Sequence, residues 1–184
     1  SLAVLSDGVF QNASSLRTVN MPADGVLETI GNYTFSWCVA LESMTVPDSV
    51  TRLEKGAFYR CYGLQNVTLG TGLAAIGDFC FAECYGLESV TFSPGSKLET
   101  ISSASFRDAR SLTAFHMPDT VTYVGLGAFI HCKSLTEVTI SKSLAVLSDG
   151  VFQNASSLRT VNMPADGVLE TIGNYTFALC VALE

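Results

Sequence analysis

Residues 1–42 of this chain return, with two changes, as residues 143–184. Phe10 recurs as Phe152 and Phe35 as Phe177, and only Ser36-Trp37 has become Ala178-Leu179. A shorter period lies inside this long one. Phe10, Phe35, Phe58, Phe81, Phe106, Phe129, Phe152 and Phe177 follow at intervals of 25, 23, 23, 25, 23, 23 and 25. An intermediate period spans three intervals, so LETI at Leu27 returns at Leu98 and GAF at Gly56 returns at Gly127. A unit this short cannot bury an apolar face by itself. Units must stack and share one continuous core, which is a solenoid.

One coil shows how the stacking works. In Ile30–Val50, Thr34, Phe35, Cys38 and Leu41 are spaced as the inward stripe of one or two helical turns. Leu41, Met44 and Val46 then face in while Ser43 and Thr45 face out, the alternation of a short strand. Pro47-Asp48 ends that strand, because proline cannot donate to a ladder and suits a turn. The expected architecture is an α/β solenoid of about eight coils, with a parallel β-sheet on one side and short helical turns on the other.

The pattern I-G-x-x-[AT]-F-x-x-C-x-x-L-x-x-[VM]-T-[IV]-P-D resembles the BspA-type leucine-rich repeat. It is complete in I30GNYTFSWCVALESMTVPDSV and nearly so in L53EKGAFYRCYGLQNVTL, I76GDFCFAECYGLESVTF and V124GLGAFIHCKSLTEVTI. The resemblance covers the whole chain and implies surface proteins of bacteria and protozoa involved in adhesion. Departures are local. Ala13, Ala109 and Ala155 replace the motif cysteine, and Ser93-Pro94-Gly95 lengthens one turn.

Apolar residues make up 48% of the chain and charged ones 15%, enough to bury a sizeable core and too apolar for disorder. The net charge of −7, with ten Lys+Arg, argues against nucleic acid as a partner. No run of 18 apolar residues could span a bilayer, so no membrane insertion is expected within this segment. Residues 1–184 read as one uncapped solenoid, beginning and ending inside a coil, and as an excerpt of a longer array.

Five of the six cysteines, Cys38, Cys61, Cys84, Cys132 and Cys180, share one motif position where other coils carry Ala. They read as small buried hydrophobes, with a disulfide among Cys38, Cys61 and Cys84 as the alternative. Cys80 aligns with Val9, Ala57 and Ala128 and reads as core despite its helical spacing from Cys84. His116 falls on an outward strand position and His131 on the outer side of a helical turn, neither in a metal-binding or catalytic constellation. No phosphate loop or nucleophile elbow is present. The expectation is a protein that is not an enzyme, with no cofactor and no metal.

Three sets of surface residues remain. Asn12, Asn32, Asn66, Asn154 and Asn174 open N-x-[ST] sequons. They are either glycosylation sites or asparagines suited to turns. Thr45, Asn66, Thr68, Thr91, His116 and Thr139 belong to two outward columns of the sheet, either a ligand face or strand formers in water. Trp37, Val39, Tyr59, Tyr62, Tyr85 and Ile130, with Leu179, flank the motif cysteine on the outer face. They form a contact patch or fold down onto neighbouring coils. Two functions fit: an extracellular rod or filament whose partners are further copies or neighbouring repeats, or a surface adhesin that binds host or matrix proteins through the sheet face.

Overall fold

In the computed structural model the chain is a parallel β-solenoid. The structure describes residues 3–22 and 25–184. Ser1, where the long repeat opens, lies outside the described residues. Each coil has three sides.

The first side is built from two-residue strands: Val4–Leu5, Thr29–Ile30, Arg52–Leu53, Ala75–Ile76, Thr100–Ile101, Tyr123–Val124, Val146–Leu147 and Thr171–Ile172. They pair in chain order into one eight-stranded parallel sheet. Eight rungs enclose seven steps, so the solenoid makes about seven turns. That corrects the eight coils counted from the spine phenylalanines, because the outermost two are incomplete.

Longer strands make the second side in two blocks. Ser43–Val46, Asn66–Leu69 and Ser89–Phe92 pair with one another, and so do Ala114–His116, Glu137–Thr139 and Thr160–Asn162. The break falls where a longer coil inserts Ser93-Pro94-Gly95, with Gly95 at φ 83°. Phe92 and Phe115 meet there edge-to-face, centroids 5.6 Å apart at 86°. Neighbouring strands in a ladder lie only ~4.8 Å apart, too close for two large rings turned against each other.

The third side carries the main correction. Among the described residues it holds no helix; the expected helical turns are tight turns whose backbone bonds to the next coil. The amides of Tyr33, Phe35 and Trp37 donate to the carbonyls of Lys55, Ala57 and Tyr59 at 2.8–2.9 Å. The intervening amides of Ser36 and Cys38 donate three positions back, to Tyr33 and Phe35, at 3.1 Å. An α-helix would keep all of these bonds within its own segment. To direct alternate amides outward, the chain turns left-handed at two positions per coil, one two before the spine Phe and one two after it. Tyr33 and Trp37, Gly56 and Arg60, Phe79 and Glu83 are examples, with φ between 54° and 64°. The inward assignments survive nonetheless: Thr34, Phe35, Cys38 and Leu41 are all fully buried, because turns closing on i−3 also return a side chain to the core at about every third position.

The spine phenylalanines stack rung upon rung, from 5.1 Å and 6° for Phe10–Phe35 to 5.7 Å and 10° for Phe152–Phe177. Beside them runs a column of Leu41, Leu64, Leu87, Leu112, Leu135 and Leu158, all fully buried. Each such side chain contributes about 1.5–3 kcal/mol on burial.

Candidate functional site

All six cysteines are free and buried. The motif thiols are more than fillers. Cys38, Cys61, Cys84, Cys132 and Cys180 each donate Sγ–H to the carbonyl of the spine Phe one coil back, at 3.1–3.2 Å. Burial, then the neighbouring Cys61, pushes the Cys38 thiol up to about 11. These are structural groups, enclosed in the core.

The turn edge gathers most of the outer-face residues. Two positions beyond the spine Phe, successive coils place Asn12, Trp37, Arg60, Glu83, Asp108, His131, Asn154 and Leu179, all left-handed. Coils lie one ladder spacing apart, so neighbours in this row touch. The Arg60 guanidinium sits 4.6 Å from the Trp37 ring centroid and 4.9 Å from that of Tyr59. It also donates to the Glu83 carboxylate at 2.9 and 3.3 Å. Tyr59 and Tyr85 hydroxyls donate to the same carboxylate at 3.0 and 3.1 Å. One coil on, Asp108 accepts from Arg110 at 2.9 and 3.0 Å and pairs with Arg107 at 3.5 Å.

A second row, four positions beyond the spine, runs Val39, Tyr62, Tyr85, Arg110 and Lys133. Tyr62 and Tyr85 stack at 5.1 Å and 3°, Trp37 meets Tyr62 edge-on at 5.8 Å, and Arg110 covers Tyr85 at 4.6 Å. Burial by itself would raise Glu83, but its hydrogen bonds from Arg60, Tyr59 and Tyr85 outweigh that and hold the carboxyl below its usual range. The same contacts, after burial, raise Tyr59 and Tyr85.

Trp37, Val39, Tyr59, Tyr62, Tyr85 and Ile130 are all half-buried, and Leu179 is exposed. Five of these fall on adjacent coils. Ile130 does not join them: it stands three coils from Tyr59, beside His131 on a groove that runs from Phe79 to Tyr175 and meets the charged edge at Arg107. Reading each coil by itself passes over Arg60, Glu83, Asp108 and Arg110. Aligning the coils on their phenylalanines puts these charges in shared rows and reveals the pairing.

The sheet face keeps the expected columns. Ser43, Asn66 and Ser89 align, as do Thr45, Thr68 and Thr91; in the second block Ala114, Glu137 and Thr160 align, and His116, Thr139 and Asn162. Thr91 Oγ1 donates to Thr68 Oγ1 at 3.1 Å, and His116 Nδ1 lies 2.9 Å from Thr139 Oγ1. Thr45, Asn66, Thr91 and His116 are exposed, Thr68 and Thr139 half-buried.

The sequons separate by their amides. Asn32 Nδ2 donates to Asp7 at 3.1 Å and Asn154 Nδ2 lies 2.9 Å from His131 Nδ1, so both are engaged within the protein. Asn12, Asn66 and Asn174 are exposed; the side-chain oxygen of Asn66 accepts from Ser89 at 2.7 Å.

Comparison with known proteins agrees with this geometry. The chain superposes on a leucine-rich repeat protein of T. pallidum with a TM-score of 0.81 and 25% identity, over 100% of this chain and 78% of that one. A leucine-rich repeat protein from Eubacterium ventriosum gives 0.76 and 25%, over 86% of this chain and 41% of that one. A leucine-rich cell surface protein from Faecalibacterium prausnitzii shares the fold at 0.66 and 19%, over 99% and 75%. No curated protein matches the chain. The model of the BspA-type leucine-rich repeat region, present in six copies, matches residues 3–107 and 93–184. With the spine, the coil length and that match together, the chain belongs to the BspA-type leucine-rich repeat family.

Proposed function

We propose that this protein is a non-enzymatic structural rod, displayed outside the cell and built by continued stacking of its coils. The observation that carries this reading is the geometric sameness of the two long repeats. Phe152 stacks on Phe177 nearly as Phe10 stacks on Phe35, and Asp149 accepts from the Asn174 amide at 2.7 Å as Asp7 does from Asn32. A unit that reproduces its own interface in each long repeat stacks indefinitely without a new contact. The extracellular placement follows the family resemblance; one protein that shares the fold carries the name of a cell surface protein.

Electron microscopy of the native material from its source tests the reading. Uniform rods with an axial repeat of about 29 Å, six ladder spacings, are expected. Short particles whose length does not scale with the number of repeats would refute it.

A second reading, a surface adhesin, is favoured by the exposed, almost uncharged columns of the sheet face. Replacing Thr45, Thr68 and Thr91 with Lys then abolishes binding to host-matrix proteins and leaves rod formation intact. Lost assembly with retained binding would count against it.

A further inference from the structure

The turn-edge cluster departs from this chain's own repeat at a structural cost. The row two beyond the spine requires left-handed backbone, and asparagine, which tolerates it, fills that row at Asn12 and Asn154. On three consecutive coils the row instead holds Trp37, Arg60 and Glu83, at φ 64°, 62° and 58°; Asp108 and His131, which follow, are types that tolerate this backbone, and Leu179 closes the row at φ 62°. Residues held in strained backbone persist where another role requires them. The long repeat points to the same place. Its two copies differ only at Ser36-Trp37 against Ala178-Leu179, and one of those positions is the tryptophan of the cluster.

The electrostatics give the cluster a sign. Arg60, Arg107 and Arg110 face two carboxylates, Glu83 and Asp108, and Lys133 follows Arg110 in its row, so these six residues sum to +2 on a chain of −7. The carboxylates lie beneath, with side chains 15% and 11% exposed, while those of Arg60, Arg107 and Arg110 are 31%, 46% and 50% exposed. Each guanidinium uses part of its fork on the carboxylate below and keeps N–H donors for solvent. Tyr62 and Tyr85 stand between Arg60 and Arg110 with their rings stacked. Trp, Tyr and Arg are the residues that carry binding energy in protein interfaces.

We infer that this edge is a docking site for an acidic peptide segment whose carboxylates flank an aromatic or apolar side chain. Arg60 and Arg110 lie two coils apart, ~10 Å along the axis, which three residues of extended peptide span. The planar forks take carboxylates, and the tyrosine edges take the intervening side chain. This goes beyond the rod reading and holds whether or not rods elongate.

The test uses the intact chain and a fluorescein-labelled peptide of about ten residues with Glu at every third position and Tyr and Phe between. Fluorescence anisotropy is expected to show binding that weakens as salt rises. The double variant Arg60→Gln/Arg110→Gln should weaken it about tenfold or more. The charge-matched control Arg159→Gln/Lys142→Gln, away from the turn edge, should leave it unchanged. Because Arg60→Gln uncovers Glu83 and could unfold its coils, hydrogen exchange on the wild-type protein supplies an independent readout. The peptide should protect amides within 59–62, 83–86 and 107–110. No binding at about 1 mM peptide, undiminished binding by a folded double variant, or protection on the sheet face would overturn the proposal. So would tight binding of heparin without binding of the peptide, which would make the occupant a sulfated polysaccharide.

Discussion

Gly127 and Ala104 occupy the same place on adjacent coils, two positions before the spine Phe, at φ 56° and 52°. A left-handed turn and a helical turn make opposite demands there. Left-handed backbone costs an L-residue about 1–2 kcal/mol, against about 0.4–1 kcal/mol recovered when alanine, rather than glycine, narrows the unfolded ensemble. Gly127→Ala should therefore destabilise by about 1 kcal/mol. Sterics add little, since the new methyl would meet Ile130 Cγ2 at 3.4 Å, ordinary contact. Ala104→Gly should gain about 0.5 kcal/mol once the loss of a half-buried methyl is counted. At this chain length the glycine variant should melt about 2–4 °C lower and the alanine variant about 1–2 °C higher. Differential scanning calorimetry reads both. Gly56→Ala extends the series, because its new Cβ would lie 2.6 Å from Tyr33 Cδ1 and must also displace that ring; it should fall further than Gly127→Ala. In a helix the signs reverse, since alanine is favoured over glycine by up to about 1 kcal/mol. A stabilised Gly127→Ala together with a destabilised Ala104→Gly would refute the turn geometry.

Ser36 Oγ is buried with no hydrogen-bond partner among the described residues, so Ser36→Ala should raise the melting temperature by roughly 2–4 °C, the relief of one unmet hydroxyl; Ala178 already stands at the corresponding place in the second copy. Phe81→Ala removes a ring stacked at 5.1 and 5.2 Å on its neighbours and should cost about 3–5 kcal/mol, with hydrogen exchange accelerating first in the flanking coils. The thiols should resist Ellman's reagent at pH 8 until urea unfolds the chain. Stability should fall as pH rises from 9 towards 11: an unfolded Cys38 loses its proton near 9 and the folded one only near 11, so across that window the unfolded state binds fewer protons and is favoured. A flat urea midpoint across that range would contradict the burial of the thiols. Arg60→Gln should shift the emission of the single tryptophan, whose ring the guanidinium covers at 4.6 Å; an unchanged spectrum would mean the contact is absent in solution.

The inward and outward sense of almost every residue was legible in the sequence, because burial follows spacing and the spacing repeats. The spine, the leucine column and the sheet-face columns all stand where periodicity puts them. The tight turn was not legible beneath its helix-like spacing. Thr34, Phe35, Cys38 and Leu41 satisfy both geometries, and the deciding bonds run from one coil to the next, as from Phe35 to Ala57. A clue lay in Gly8, Gly56, Gly127 and Gly150, glycines at one position that a helix would not select. The outer aromatics were legible as a candidate contact patch, but the charges that join them were not. What joins them is charge on neighbouring coils, invisible until the coils are aligned with one another.

Ladder spacing also accounts for the hierarchy of periods. A buried Phe or Leu gains from meeting its own copy on the next rung, so apolar rows can repeat every coil. A charged row cannot: two like charges ~5 Å apart repel by about 1 kcal/mol in water and several times more near a protein surface. Charges that share a row on adjacent coils are accordingly mostly opposite. Arg17 meets Glu42 at 3.0 Å, Arg60 meets Glu83 at 2.9 Å and Lys142 meets Asp119 at 2.9 Å. Elsewhere like charges skip at least one coil, as Glu42 and Glu88 do on either side of Gln65. Glu28, Glu99 and Glu170 wait three coils, about 14 Å apart and beyond the Debye length at physiological salt. A unit of three coils therefore spaces its charges safely where a unit of one coil would stack them. Among the described residues two adjacent like pairs break this rule, Glu83 with Asp108 and Arg110 with Lys133, and both lie in the turn-edge cluster. The acidic pair is offset by Arg60, Arg107 and Arg110 above it. The basic pair is offset on one side only, by Asp108, which accepts from Arg110 at 2.9 and 3.0 Å.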